Sequence, residues 1–335
     1  MHDHVKLLAV GDATKDVFIN IEEATVSCTL NTEACLLCLN YADKIPVKSV
    51  VQVRAAGNAA NAAVGTRRLG HTSALLTILG DDDDGHELQE ALRHEKVDHR
   101  FVQFDKKHAT NYSTVLNFKG ERTILIHHEP RTYCFPKKVP HADWVYYTTL
   151  GEGHERLEKG LLAYLKRHPN TKLLFNPGVF QLRRGRKALN PVLKRSTILI
   201  VNKHEAELLL EERQGHEMPN LLMRLHDLGS DIVIITDGPR GSCAYTGKEM
   251  WSLGVFPGKA KERTGAGDAY ATGLVNGLVS KKSLLEAMRW GTANAWSVIR
   301  DIGPQKGLLD AAGMKKTLSK FLSIKAVRIN HFAKR

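Results

Sequence analysis

The sequence predicts an α/β fold, a doubly wound and mainly parallel sheet with a small β-rich lid. Short apolar runs alternate with helical patterns along most of the 335 residues, the signature of βαβ units. Two stretches, 17–54 and 108–127, break the alternation with β-like pieces and few helix signals. Late in the chain, Thr264-Gly265-Ala266-Gly267-Asp268 places small residues and then an acid at the start of a helix.

Strands are expected at Leu7–Val10, Ala74–Leu79, Trp144–Thr148, Lys172–Phe175, Thr197–Val201 and Asp231–Thr236. Between and after them, helices are expected at Asn58–Leu69, His86–Glu95, Glu155–Arg167, Glu205–Glu212, Leu221–Leu228, Asp268–Val279, Leu284–Ile299 and Ala311–Leu322. Residues 1–16, 55–107 and 128–335 then form the core, and 17–54 with 108–127 the lid. Lid strands are expected at Asp16–Ile21, Ser49–Arg54, Tyr112–Phe118 and Arg122–Ile126, and Asn117-Phe118-Lys119-Gly120 ahead of Glu121 predicts a hairpin turn. Ligands of such sheets bind beyond the carboxyl ends of the strands.

Composition narrows the class. Hydrophobic content of 42% and charged content of 25% fit a soluble globular protein,. No run of 18 apolar residues exists, so no membrane span or membrane partner is expected. The start MHDHVKLLAVGD lacks the basic opening and long apolar core of a signal peptide, which predicts a cytoplasmic location. The net charge of +12 suits phosphorylated ligands or nucleic acid,. The basic residues are scattered, apart from Arg183-Arg184-Gly185-Arg186-Lys187 and the tail KAVRINHFAKR, and show no aromatic interleaving, so a nucleic-acid partner is not expected.

Cys28, Cys35 and Cys38 form C-x6-C-x2-C, with Cys134 and Cys243 elsewhere. A zinc site needs four ligands, and His2, His4 or Asp43 would supply the fourth only through folding. Reduced structural thiols are therefore expected rather than a metal site or a disulfide. Asp81–Asp84 reads as a helix-capping run, because four adjacent carboxylates repel one another. His127-His128-Glu129 reads as surface or lid, because adjacent strand residues point to opposite faces.

The Thr264–Asp268 run carries chemistry. Gly265, Ala266 and Gly267 let the backbone approach a phosphate, and free N–H groups of a first helical turn form an anion hole. Asp268 at its rim would take the proton of an attacking hydroxyl. The competing reading is a packed glycine turn ahead of a core helix. No G-x-x-x-x-G-K-[ST] occurs, and no complete G-x-G-x-x-G follows a strand, so a P-loop is absent and a dinucleotide dehydrogenase is disfavoured.

The ordered motifs resemble the PfkB, or ribokinase-like, carbohydrate and nucleoside kinase family. Val10-Gly11-Asp12 with Asp16 is similar to its first strand and substrate-binding acid. The run from Ala56 through Gly57, Asn58 and Asn61 to Ala63 is similar to its N-terminal signature, and Gly80–Gly85 to its G-x-D-x-x-G. Asn202-Lys203-His204-Glu205 is similar to its N-x-x-E, Thr236–Gly241 to its T-x-G-x-x-G nucleotide turn, and Glu262–Asp268 to its C-terminal signature.

The resemblance implies an ATP-dependent kinase acting on a hydroxyl of a sugar, sugar phosphate or nucleoside. Asp268 would be the general base, and the amides of Gly265, Ala266 and Gly267 the anion hole. Asp16, Gly57, Asn58 and Asn61 would hold the acceptor; for both asparagines helix capping is the alternative. Asn202 and Glu205 would support Mg²⁺, mostly through its waters, or else cap the next helix. Thr236, Gly238, Gly241 and Asn294 would surround ATP, and the lid would carry a homodimer contact. Arg131 is a candidate for a substrate phosphate that the sequence does not place. Departures are Glu262-Arg263 where Asp-Thr is usual, Ala56 for the first glycine of the N-terminal pair, and Gly303-Pro304 for Gly-Ala. Two rivals remain: a catalytically silent kinase-like protein binding nucleic acid or a protein partner, and a metal sensor built on Cys28, Cys35 and Cys38.

Overall fold

The computed structural model describes residues 4–28, 35–211 and 216–329. His2, Glu212 and the basic tail beyond residue 329 lie outside the described residues. The first half of the chain supplies β1 (His4–Val10), β2 (Thr14–Ile21), β3 (Thr25–Cys28), β4 (Cys35–Cys38), β5 (Val47–Ala56), β6 (Ser73–Gly80), β7 (Val102–Asp105), β8 (Tyr112–Phe118), β9 (Glu121–His127) and β10 (His141–Tyr147). Then come β11 (Lys172–Phe175), β12 (Ile198–Asn202), β13 (Ile232–Thr236), β14 (Ser242–Tyr245), β15 (Met250–Leu253) and β16 (Val327–Arg328). The helices are α1 (Asn58–Arg68), α2 (Asp83–His94), α3 (Glu155–Arg167), α4 (Val179–Arg183) and α5 (Gly185–Arg195). They continue as α6 (Lys203–Leu210), α7 (Met218–His226), α8 (Ala266–Val279), α9 (Leu284–Val298) and α10 (Ala311–Lys320).

The main sheet has the order β16-β15-β14-β13-β12-β11-β10-β1-β6-β7. From β7 to β13 each neighbouring pair is parallel, and β14, β15 and β16 extend one edge antiparallel. Alternate residues of β1 face opposite layers, as strand geometry requires. Leu8 and Val10 join the apolar residues of α3, α5, α6 and α7, whereas Leu7 and Ala9 join those of α1, α2, α8 and α9. Both faces are thus covered, which explains the near-continuous apolar strands. α8 and α9 approach closely because a Cβ at Gly273 would stand 2.4 Å from the Trp290 carbonyl oxygen.

Helices α4 and α5 and the β14–β15 hairpin are not legible from apolar runs. In α5 the basic run and Pro191 mask an apolar face of Leu189, Val192 and Leu193 that becomes buried. α2 begins at Asp83, with the Asp82 carboxylate accepting from Gly85 N as a helix cap, so the acidic run is capping, as expected.

The second sheet has the order β5-β2-β8-β9 and is mixed, with β2 and β8 parallel. The β8–β9 turn places Lys119 at φ 50° and Gly120 at φ 85°, the left-handed pair a two-residue hairpin requires. A short ribbon of β3 and β4 projects from it and corrects the thiol expectation. Pairing sets Cys28 opposite Cys35, with Cα atoms 4.2 Å apart, and the two form a disulfide. The hairpin brings the sulfurs together, a proximity the spacing did not reveal. Cys38, Cys134 and Cys243 are free, so a three-thiolate metal site is not formed. No helix among the described residues is long and apolar enough to cross a membrane.

Candidate active site

A cleft of about 400 Å³ opens at the carboxyl ends of β1, β12 and β13, beneath β9, where ligands of doubly wound sheets bind. Asp12, Asp16, Gly57, Asn58, Asn61, Asn202, Glu205, Thr236, Thr264, Gly265, Gly267 and Asp268 line it. Segments from both ends of the chain therefore converge there.

α8 starts without a side-chain cap: Gly265 occupies the cap position at φ 74°. Glycine is required there twice over, because a Cβ would also stand 2.4 Å from the Pro304 Cβ,. The Ala266 N–H is spent on the Arg263 carbonyl at 3.3 Å, and Ala266 does not line the cleft. The expected anion hole is corrected accordingly. Among the described residues no acceptor meets the N–H groups of Gly265, Gly267 and Asp268. A Cβ at Gly267 would meet nothing within 4 Å, and all three residues line the cleft. An anion fits this space, since uncapped N–H groups and the helix dipole both favour negative charge.

The Asp268 carboxylate accepts from Asn61 Nδ2 at 2.9 Å, and Asn61 Oδ1 accepts from Gln305 Nε2 at 3.0 Å. Burial raises the Asp268 pKa, while the Asn61 amide and the Arg122 charge oppose the rise. Asn61 is 1% exposed and its amide is committed to these partners. Its bond to Asp268 is a contact the sequence does not show, and Asn61 still lines the cleft. Asn58, the first residue of α1, lines the cleft. Gly57 precedes it at φ 92°, where a Cβ would stand 2.8 Å from the Asp12 carbonyl oxygen.

Asp16 accepts from Thr14 Oγ1 at 2.7 Å. Burial pushes its pKa to about 6, with the nearby Asp268 charge adding to the rise. Glu205 is pushed to about 7, again first by burial. Asn202 and Glu205 cap α6 reciprocally: Glu205 N donates to Asn202 Oδ1 and Asn202 N to Glu205 Oε2, both at 2.9 Å. The capping alternative holds, and a second Glu205 oxygen remains for a hard cation.

Other expectations are corrected. Asn294 does not line the cleft: it is fully buried, donating to the Ala269 carbonyl at 2.8 Å and accepting from Leu309 N at 3.0 Å. It ties α9 to α8 from below. Gly238 and Gly241, at φ 50° and 90°, shape the turn between β13 and β14 without lining the cleft. Arg131 is buried away from it against Asp105 and the His108 and Ala109 carbonyls. His128 lies just past β9 and turns inward to line the cleft, whereas His127 stays exposed. Arg263 pairs with Glu121 of the lid at 2.8 Å, a long-range contact invisible in sequence. Reading the sequence also missed Arg122, whose alternation with Ile124 and Ile126 along β9 aims all three at the cleft.

Among the described residues one group has metal-ligand spacing, His4, His141 and Asp143. It sits at the amino ends of β1 and β10, away from the cleft, and Lys6 Nζ is 2.7 Å from an Asp143 oxygen.

A parallel sheet with a β lid, a carboxylate fixed at an uncapped helix start and an acid-lined cleft define a lidded α/β protein with a small-molecule cleft. Residues 20–311 match the sequence profile described as pfkB family carbohydrate kinase. The chain belongs to that family. It is 27% identical over 245 residues to an aminoimidazole riboside kinase of Salmonella typhimurium, covering 70% of this chain and 76% of the relative. It is 26% identical over 256 residues to a nucleoside kinase of Methanocaldococcus jannaschii, covering 75% and 81%. The solved ribokinase of Arabidopsis thaliana, complexed with ribose and ATP, superposes with TM-score 0.77 at 20% identity, covering 95% of this chain and 99% of that one.

Proposed function

We propose that the protein is an ATP-dependent phosphotransferase that phosphorylates a hydroxyl of a sugar, sugar phosphate or nucleoside. The observation that carries the proposal is the Asp268 carboxylate, held by Asn61 beside the free N–H groups of Gly265, Gly267 and Asp268. In this reading Asp268 takes the proton of the attacking hydroxyl. The new oxygen–phosphorus bond forms as the bond to the ADP oxygen breaks, and the free amides hold the charge of the travelling phosphoryl group.

Asp16, Gly57 and Asn58 hold the acceptor, Thr236 lies on the nucleotide side, and Gly238 and Gly241 shape the turn beside it. Glu205 would hold Mg²⁺ through water, with Asn202 fixing its carboxylate; when bound, the ion neutralises phosphate charge. Residues 17–54 and 108–127 act as the lid over a core of 1–16, 55–107 and 128–335, in a cytoplasmic enzyme. A homodimer through the lid would cover the exposed Val26, Leu36, Leu39, Tyr41, Val50 and Leu125,. No observation favours the silent-partner reading.

The test is ADP release from ATP and Mg²⁺ across ribose, fructose, ribose 5-phosphate and adenosine. Turnover with one of them is expected, falling about 10²–10⁴-fold in Asp268→Asn with ATP affinity retained. Undiminished turnover in the variant rejects the general-base assignment.

A further inference from the structure

Resting on that kinase reading, we propose that His128, held by Asp12, determines acceptor specificity, and that the acceptor is an uncharged polyhydroxy molecule, a free sugar or nucleoside rather than a phosphorylated one. Asp12 lies two residues past the end of β1 and its side chain is fully buried. Its Oδ2 gathers three donors: Tyr133 OH at 2.7 Å, Gly151 N at 2.9 Å and His128 Nδ1 at 3.0 Å. Burial raises the Tyr133 pKa, so the phenol stays a donor. A carboxylate acceptor places the hydrogen of a neutral imidazole on Nδ1, leaving Nε2 as an acceptor. The His128 ring also packs edge-on against Phe180, with centroids 5.4 Å apart, and the side chain is 9% exposed at the cleft wall. Asp12 Oδ1 is buried and has no hydrogen-bond partner.

Charge excludes a phosphorylated acceptor. Asp12, Asp16, Glu205 and Asp268 line the cleft, against the single guanidinium of Arg122. Arg122 is opposite Asn117 in the lid, whereas Asp16 is level with Ser113, which pairs with Ile126. Four strand residues, about 14 Å of backbone, separate the two levels. The four carboxylates therefore outnumber the one guanidinium among the lining residues, and that guanidinium already offsets Asp268. A phosphate there would add up to two negative charges beside them. Ile126 offers an apolar wall to the C–H face of a ring.

Calorimetric titration of the whole chain with ribose, fructose and adenosine, and with ribose 5-phosphate, fructose 6-phosphate and AMP, tests this. At least one neutral compound is expected to bind more tightly than its phosphate. His128→Asn keeps a donor toward Asp12 but lacks Nε2; it should weaken acceptor binding at least tenfold while leaving ATP affinity and melting temperature unchanged. Asp12→Asn should weaken acceptor binding comparably. Tighter binding of a phosphate, no binding by any member, or wild-type acceptor affinity in His128→Asn overturns the inference. The kinase reading fails separately, if an acceptor binds as described and ATP is still not consumed.

Discussion

Asn61 Nδ2 donates to Asp268 Oδ2 across 2.9 Å, joining the first helix of the core to a residue of α8 that lies 207 positions later in sequence. Gln305 completes the chain from the other side, donating to Asn61 Oδ1. The proposed base is thus held by an amide that is itself held. Asn61→Ala is expected to lower kcat about 10²-fold, the size of loss that misplacing a reacting group produces. The Asn61 bond lowers the Asp268 pKa, so its loss raises it. The base is active when deprotonated, so the acidic limb of the kcat profile should move to higher pH. An unmoved limb would leave Asn61 with a packing role alone.

Asp16 makes the cost of the acidic cleft measurable. Its pKa rises from 3.8 to about 6 on folding. The unfolded chain then releases this proton at lower pH than the folded one. The resulting destabilisation is nearly absent below about pH 4, grows up to about 6 and is constant above. Asp16→Asn should therefore gain about 2 kcal/mol more stability at pH 7.5 than at pH 4, as urea unfolding would measure. An equal effect at both pH values contradicts the buried-charge account.

Gly265 and Gly267 should respond oppositely to the same substitution. Gly265→Ala forces a Cβ into a left-handed residue and onto Pro304, costing about 1–2 kcal/mol for the backbone alone. Gly267→Ala meets no atom of the protein, so its melting temperature should match wild type. Its methyl would enter the cleft that Gly267 lines, and the KM for ATP should rise several-fold. Thermal melts paired with ATP titrations separate the two effects.

If Glu205 holds Mg²⁺ as proposed, magnesium use should depend on pH. Its carboxyl is pushed to about 7, and only the charged form attracts a cation. The Mg²⁺ concentration for half-maximal rate should rise as pH falls from 8 to 6. Glu205→Gln should require more Mg²⁺ at pH 8 and lose most of that pH dependence. Parallel pH curves for the two proteins would remove Glu205 from the metal's surroundings.

Much of the architecture is legible in the chain because each layer has its own period. The strand Lys172–Phe175 and the helix Glu155–Arg167 appear with the bounds expected from their apolar patterns. Gly265, Gly267 and Asp268 are legible as a small-residue turn opening a helix, and the fold sets all three on the cleft. Asn294 misleads, since a buried amide bracing two helices has the composition of a ligand contact. Arg131 misleads likewise, because a cation satisfied by carbonyls looks the same in sequence as one awaiting a phosphate.

Local order along the chain thus specifies the alternating strands and helices, the hairpin turn at Lys119-Gly120 and the acid at the opening of α8, because periodicity and turn chemistry act between near neighbours. Folding in three dimensions decides that Asn61 meets Asp268 in the cleft wall, that Cys28 meets Cys35, and that Asp12 gathers Tyr133, Gly151 and His128. Those pairings join residues across strands and layers, and their energies depend on burial and on distances that no stretch of sequence contains.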